Sequence, residues 1–398
     1  MTGLSRQFAA ALMSISMMGL SATAQTRPEP IEIAGWEIEP RADATVAISP
    51  ARDDVGTTQA EVFTAQLRAE LRAEYVLENG AEIGVWLGGR LQRDHPERLG
   101  FSGRIGEGTT AFEGLAPRGA FTGLTLGGPV EDANARARLE TAFVYIDGGY
   151  GQVLIGRDVG IARRFHEGSP SVFRFHRITN AALDTSGVAT VLTRNDLTGP
   201  AAKISYASPR ILGLRIGGSY TPRANVSGLD RDPDREIAGV AEPSLDDGLE
   251  AALNFSHRFQ ESGIRLEGYG AYGRAAVTTG PAQLDAGTVE VWSTGGRIEW
   301  KNLEIGADWL TSDNAGGRYR AWSIGGKINQ FGLDWSAEYG QSSDNLTNID
   351  GESWSIGASR SILERLSLSV GVQSQSLNGD LLLDRDSIGP VLEITLRY

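Results

Sequence analysis

The chain has 398 residues, a formal charge of −13 and no cysteine. Its 50 acidic against 37 basic side chains argue against nucleic acid as a partner, because domains that bind nucleic acid carry clustered positive charge. Without cysteine, stability has to come from backbone pairing and burial and not from disulfides. The 51 glycines and a hydrophobic share of only 40% are typical of a chain with many turns and no wholly apolar core.

The first 24 residues are predicted to be a secretory signal peptide. Arg6 precedes an apolar run over residues 8–20, and Ala22-Thr23-Ala24 supplies the small residues of a cleavage site. The run is too short to cross a bilayer as a helix, and no stretch of about 18 apolar residues follows it, which disfavours an anchoring helix. The mature chain is therefore expected to begin near Gln25.

Residues 63–77 alternate strictly between apolar and polar side chains. Every second residue from Phe63 to Leu77 is apolar, and the residues between them from Thr64 to Glu74 are polar or charged. A helix would place charged residues on every face of this segment, so the period of two predicts a strand. Asn79-Gly80 then turns the chain, and residues 83–91 continue the apolar face on a return strand.

The same unit of strand, short turn and strand recurs to the end of the chain. The last strand, residues 387–398, places Leu392, Ile394, Leu396 and Tyr398 on one face. A further strand is expected within residues 31–48. The other strand pairs are predicted at residues 139–146 and 153–157, 203–207 and 212–220, 249–255 and 264–272, 289–300 and 303–309, 322–328 and 333–339, and 354–359 and 366–373.

These features predict an all-β fold, a transmembrane antiparallel barrel of about 16 strands. In lipid every backbone polar group needs a partner, so the sheet has to close, and an aromatic residue suits the membrane interface at the end of the last strand. A soluble edge strand is the alternative interpretation of the C-terminus. The predicted parts are the signal peptide 1–24, an N-terminal lead-in 25–60 with the first strand, and one barrel domain 61–398. The termini and short turns are expected on the periplasmic side.

Tryptophans are expected to mark the membrane interfaces. Most share a strand face with Leu, Ile or Val, which favours interfacial girdles over a sugar-binding track inside the lumen. Trp86 instead shares its face with Glu82 and Arg90, and is expected to face the lumen or a subunit contact. The girdle candidates are Trp292, Trp300, Trp309, Trp322, Trp335 and Trp354.

The order of these features resembles the Gram-negative general porins, particularly those of alphaproteobacteria. The resemblance rests on the signal peptide, the strand count, a wide third outer loop, the aromatic end, and the segments Lys-Ile-Ser-Tyr-Ala-Ser-Pro at 203–209 and Gly-Leu-Arg-Ile-Gly-Gly-Ser-Tyr at 213–220. It implies a homotrimer in outer-membrane lipid. Each barrel would be a channel for passive diffusion of ions and small hydrophilic solutes, with the third loop folded into the lumen.

Family members usually end in Phe, so Tyr398 departs from the pattern. Tyr398, Leu396 and Ile394 are expected to form the signal that the barrel assembly machinery reads.

Strand parity and the third loop, residues 158–200, give the candidate constriction residues. Opposed Arg and carboxylate groups across a narrow water-filled pore create a transverse field that disfavours apolar solutes. The alternative is an exposed loop with solvated charges. Arg68, Arg72, Arg163 and Arg164 are predicted to help form the constriction. The full candidate set is Arg68, Glu70, Arg72, Glu74, Arg90, Arg138, Asp158, Arg163, Arg164, Glu167, Arg174 and Arg177.

Other chemistry is weakly indicated. Asp230, Asp232 and Asp234 alternate as in a calcium loop, but Arg235 stands where an EF-hand needs Gly, which leaves at most a loosely bound calcium ion. No other cofactor is expected. Ser169 is close to His166 but matches no hydrolase signature, so no catalytic residue and no enzyme activity are predicted. The alternatives are a substrate-selective channel, a barrel enzyme and an adhesin with a closed lumen.

Overall fold

The computed structural model describes residues 30–49, 52–53, 63–93, 119–124, 135–180, 184–225, 243–279, 284–379 and 384–398. A short helix, α1, spans Ile161–Arg164. The strands in chain order are β1 (Ile31–Ile33), β2 (Trp36–Ile48), β3 (Arg52–Asp53), β4 (Phe63–Val76), β5 (Glu82–Arg93), β6 (Arg136–Gly148), β7 (Gly151–Asp158), β8 (Ala201–Ala207), β9 (Leu214–Asn225), β10 (Pro243–Arg258), β11 (Arg265–Thr279), β12 (Leu284–Trp300), β13 (Leu303–Ser312), β14 (Tyr319–Gln330), β15 (Leu333–Asp344), β16 (Ile349–Leu363), β17 (Leu366–Gly379) and β18 (Arg385–Arg397).

Sixteen of these strands, β2 and β4 to β18, form a closed antiparallel ring. Each pairs with its neighbours in the chain, and β18 pairs back with β2 in the register Leu392↔Ile48 to Arg397↔Asp43. The short strands β1 and β3 pair with β2 and β18. Because every long strand has two neighbours, the ring has no open edge, and its backbone groups are paired as lipid requires. The predicted barrel of about 16 strands is confirmed.

The alternation predicted for residues 63–77 sets the two faces of the wall. Leu71 and Tyr75 point outward and are 42% and 38% exposed, while Arg68 and Arg72 point inward. The first barrel strand, β2, lies inside the predicted 25–60 segment, and Asp43 of β2 is level with Arg68 of β4. The inner face of this part of the wall therefore carries polar side chains, and the outer face carries apolar ones.

The strand ends at the short turns agree with the sequence prediction to within a few residues, but the outer ends run longer. Strand β10 begins at Pro243, six residues before the predicted start at Leu249, and β12 begins at Leu284. These outer segments lack a regular apolar alternation, so periodicity does not reveal them. Strand β9 begins at Leu214 and not at Leu212, because Leu212 has a φ of 49° and belongs to the turn.

The six girdle tryptophans lie on the outward face of β12 to β16. Trp292 packs against Tyr272 with ring centroids 4.5 Å apart, and Trp322 lies 5.5 Å from Tyr339. Trp86 faces inward, where it packs against Phe143 at 5.8 Å. Within the described ranges, no helix has the length and apolar character needed to span a bilayer.

Candidate functional site

The described part of the loop between β7 and β8, residues 159–180 and 184–200, lies inside the barrel. It begins with α1 and then contacts the inner wall from β10 to β18, far from the strands that it connects. Ile161, Phe173 and Ile178 of this loop are 0–1% exposed. The prediction that the third outer loop folds into the lumen is confirmed, and the alternative of an exposed loop is wrong.

Apolar packing explains why the loop enters the lumen on the β9 to β14 side. Tyr319 lies at the centre of this inner core, and its hydroxyl accepts a hydrogen bond from Leu192 N and donates one to Thr190 O, each at 2.7 Å. Phe121, from the loop after β5, lies 6.1 Å from the Tyr319 ring. Burying these side chains removes apolar surface from water and holds the loop against this side of the wall. The inner core also contains Ala189, Leu197, Leu245, Val277, Val289, Val291 and Leu310.

Glu393 of β18 holds the middle of the loop, residues 174–176, against the wall. Its carboxylate accepts hydrogen bonds from the backbone N–H groups of Arg174, Phe175 and His176 at 2.8, 3.0 and 2.8 Å. Glu393 is only 2% exposed. A buried carboxylate is costly unless hydrogen bonds compensate it, and three converging N–H donors provide that compensation. This arrangement fixes the loop against the last strand.

Further acidic side chains of the inner wall hold the loop along its path. Glu250 of β10 accepts from Ala162 N at 3.1 Å and from Thr198 Oγ1 at 2.6 Å. Asp308 of β13 accepts from Thr193 Oγ1 at 2.9 Å. Sequence reasoning missed these anchors. The signal that could have found them is an isolated acidic residue at inward parity between two outward apolar residues, as in Leu392-Glu393-Ile394.

The opposite wall, formed by β2 and β4 to β6, carries a basic patch. Glu140 lies between Arg68 and Arg90, at 3.3 and 2.8 Å from their guanidinium groups. Arg138 is the cross-strand neighbour of Arg90, so the patch crosses β4, β5 and β6. Of the predicted pore-lining residues, these three arginines form one of the two groups that the structure brings together on the wall.

Arg174 is the loop arginine that meets this wall. Its guanidinium lies 3.8 Å from Asp43, which is level with Arg68 on the neighbouring strand. Burial lowers the pKa of Arg174, and the positive charges of Arg397 and Arg68 act in the same direction, while Asp43 opposes them. Basic groups therefore approach one another from the loop and from the wall.

A second cluster lines the inner wall toward the short turns. Arg72 pairs with Glu74 and lies 3.5 Å from Glu82, and its guanidinium lies 5.5 Å from the Trp86 ring centroid. Tyr145 joins the cluster through a 2.7 Å hydrogen bond to Glu82. The structure thus brings Arg72 and Glu74 together but gives them aromatic and acidic neighbours, unlike Arg68. Glu70 lies between the two clusters, opposite Arg41 of β2.

Each of the remaining predicted loop residues has a charged partner on the loop itself or on the nearby wall. Arg163 pairs with the loop's own Asp196, and Arg164 lies 3.7 Å from Asp158 at the end of β7. Glu167 and Arg177 contact the wall that the loop rests on, at 3.2 Å from Arg297 and 3.6 Å from Glu338. The pairs of Arg163, Arg164 and Arg177 tie the loop to itself, to β7 and to β15.

The neighbouring Ser169 and His166 have different partners. The Ser169 hydroxyl is hydrogen-bonded to Ser323 Oγ at 3.0 Å, and His166 Nε2 lies 3.6 Å from Asp308. Burial lowers the pKa of His166 well below its ordinary value, and Arg194 and two other arginines act in the same direction. The imidazole is therefore neutral near neutral pH, and its contact with Asp308 is not an ion pair.

The candidate calcium residues Asp230, Asp232 and Asp234 lie outside the described residues. In the part of the chain that the structure describes, no group of three or more His, Asp or Glu side chains could hold a metal ion.

At the C-terminus, Tyr398 N donates to Ala42 O at 2.7 Å, and Leu396 and Ile394 face Ala44 and Val46 across the closing pair. Their role as an assembly signal stays a prediction.

A closed 16-strand barrel with a polar, loop-narrowed lumen defines a membrane channel. The model of the Gram-negative porin family matches residues 9–380, and the chain belongs to this family. It is therefore a multi-pass outer-membrane channel for small solutes. No curated protein sequence matches the chain.

Solved structures of outer-membrane channels share the fold. The anion-selective porin from Comamonas acidovorans superimposes with a TM-score of 0.56 at 12% identity, over 91% of this chain and 100% of that one. The outer-membrane channel DcaP of Acinetobacter baumannii gives 0.58 at 11% identity, over 93% and 100%. OmpT of Vibrio cholerae, solved in a trimer form, gives 0.51 at 10% identity, over 92% and 100%.

Proposed function

We propose that this porin passes ions and small hydrophilic solutes by passive diffusion and that it favours anions. The observation that carries the proposal is the basic patch. Six basic groups there, Arg41, Arg68, Arg90 and Arg138 on the wall, Arg174 on the loop and Arg397 at the end of β18, outnumber the five acidic groups that act on them, Glu39, Asp43, Glu70, Glu140 and Glu393. A charge a few ångströms from an ion in water contributes about 1 kcal/mol, which changes the local ion concentration about five-fold.

Reversal potentials across a planar bilayer under a salt gradient test the proposed ion preference. The full-length mature protein should pass chloride more readily than potassium, and the double variant Arg68→Gln, Arg90→Gln should lower that ratio. Lys327→Gln is the matched control, because Lys327 pairs with Glu304 on the β13–β14 wall and lies outside the patch. A cation-selective wild-type channel, or an unchanged ratio in the double variant, would contradict the proposal.

The predicted constriction is tested by a separate set of neutralised arginines. Arg68, Arg72, Arg163 and Arg164 are each replaced by glutamine. Because Arg163 pairs with Asp196 within the loop, we expect Arg68 to account for most of the change in ion selectivity. Unchanged selectivity and unit conductance in the fourfold variant would remove all four residues from the constriction.

A substrate-selective channel is the second candidate. The cluster of Arg72, Trp86 and Tyr145 favours it, because aromatic faces beside charged groups can hold a sugar or an organic anion in the lumen. Single-channel currents recorded with a panel of sugars and small organic anions separate the two functions. Saturable block by one class of solute would support a binding site, and currents unaffected by every solute would support general diffusion.

We further propose a homotrimer that is inserted by the barrel assembly machinery and that works without covalent chemistry or a bound cofactor. The family resemblance supports a trimer, as does the trimer form of OmpT. Native mass spectrometry of the detergent-purified protein should show three copies. A monomer as the dominant species would contradict this assembly.

Isothermal titration calorimetry with calcium tests the loop that contains Asp230, Asp232 and Asp234. Heat of binding would indicate an ion site there and contradict the proposal that no ion is bound.

A further inference from the structure

An apolar groove of about 870 Å³ opens on the outer surface of the barrel across β15, β16 and β17. Ala358 forms part of its floor, and the indole rings of Trp335 and Trp354 flank it. It lies on the lipid side of the wall, so it is separate from the lumen and from the loop. The remaining outward side chains that line it are Leu333, Ile356, Arg360, Ile362, Leu368, Val370 and Val372.

Arg360 lies near the short-turn end of this groove, and of the β16 side chains that line it Ile362 alone is nearer the turn. In the sheet Ala358 is level with Trp335, and Arg360 is two residues nearer the short turn between β16 and β17. Tryptophan marks the interface between hydrocarbon and headgroups, so Arg360 lies at the depth of the headgroups. A guanidinium there reaches the phosphate level while its methylene groups stay along the apolar wall.

The Arg360 guanidinium has no acidic partner on the protein. Throughout the described ranges, no hydrogen bond, ion pair or ring contact engages it. The outward carboxylates of the same strand, Asp350 and Glu352, lie at its other end, toward the outer loops. A second protein copy packed over the groove would have to bury this unpaired charge, which is unfavourable without a carboxylate. A phosphate supplies the missing negative charge.

We propose that the groove binds an anionic phospholipid of the periplasmic leaflet. An acyl chain lies between Trp335 and Trp354 over Ala358, and the headgroup phosphate pairs with Arg360. The apolar lining accounts for the chain, and charge complementarity accounts for the headgroup. A basic residue at the membrane surface contributes about 1 kcal/mol toward an anionic lipid, which corresponds to about a five-fold change in affinity.

Native mass spectrometry of the detergent-purified, full-length mature protein with added phosphatidylglycerol tests the site. Wild type should retain bound lipid, and Arg360→Gln should lower the retained fraction about five-fold. Ala358→Trp fills the floor of the groove and should lower lipid retention while Arg360 is kept. Arg258→Gln is the control, because it removes an exposed arginine at the periplasmic end of β10, away from the groove.

Three outcomes would overturn the proposal. Equal lipid retention in Arg360→Gln and Arg258→Gln would show that the charge is not recognised. Equal retention in Ala358→Trp and wild type would show that the chain lies elsewhere. An oligomer that dissociates in both groove variants without added lipid would show that a second copy covers the groove. Arg360 lies outside the lumen, so the conductance of Arg360→Gln should equal that of wild type, and the result does not depend on the ion preference.

Discussion

Replacing Glu393 with glutamine should loosen the third loop while leaving the barrel closed. Two backbone N–H groups donate to one carboxylate oxygen, Oε2, and the N–H of Arg174 donates to the other. Glutamine has one acceptor oxygen, so at least one bond is lost and an NH₂ donor faces a backbone donor. A hydrogen bond to a charged group contributes about 1.5–3 kcal/mol, so the population of detached loop should rise about 10- to 150-fold.

Single-channel recording at fixed voltage measures this population. Detachment should appear as increased current noise and brief closures of the open channel. The sixteen-strand ring keeps its backbone bonds, so the variant should still show the heat-dependent gel migration of a folded barrel. Glu304→Gln is the control, because this carboxylate pairs with Lys327 of the neighbouring strand at 2.7 Å. Current noise equal to that of wild type in Glu393→Gln would refute the anchoring role.

Three further changes test the contacts inside the lumen. Tyr319→Phe removes two loop hydrogen bonds and should cost about 1–3 kcal/mol in denaturant unfolding; an unchanged midpoint would contradict the inner core. Gly84→Ala drives a methyl group into the Tyr145 ring and should cost about 1–3 kcal/mol, whereas Gly149→Ala, with open space around it, should be neutral. Burial, and then a neighbouring carboxylate, raise the pKa of Glu167, so its charged form disfavours the folded state above that pKa. The Glu167→Gln variant should therefore have a higher free energy of unfolding than wild type at neutral pH, and the same free energy at a pH below the ordinary pKa of glutamate. A lower free energy of unfolding for the variant at neutral pH would contradict this prediction.

The barrel wall was predictable from the sequence because lipid imposes a strict rule on it. Outward positions must be apolar and inward positions may be polar, so a strand such as β4 shows its period in its own residues. The turn at Asn79-Gly80 and the final strand were predictable for the same local reason. The polar outer ends of β10 and β12 escaped detection because the rule stops at the membrane boundary.

The path of the loop was not predictable, because its partners lie far away in the chain. Arg174 N bonds to Glu393, 219 residues further on, and Ala162 N bonds to Glu250. Nothing in the loop's own residues indicates which strand will receive them. The same limit explains why Arg163 and Arg177 were placed with the pore-lining residues, although the fold gives them acidic partners on the loop or beneath it.

The inner core makes the two sides of the lumen unequal in dielectric constant. On the β9 to β14 side the loop is packed onto the wall through buried apolar side chains, while the opposite wall carries the partly exposed Arg68. Low-dielectric material confines field lines to the water beside it, so the potential of Arg68 and Arg90 reaches further across the path than it would in bulk solvent. Salt should therefore screen this potential less than it screens charges on the outer loops. A chain that is negative as a whole can in this way present a positive passage to a permeating ion.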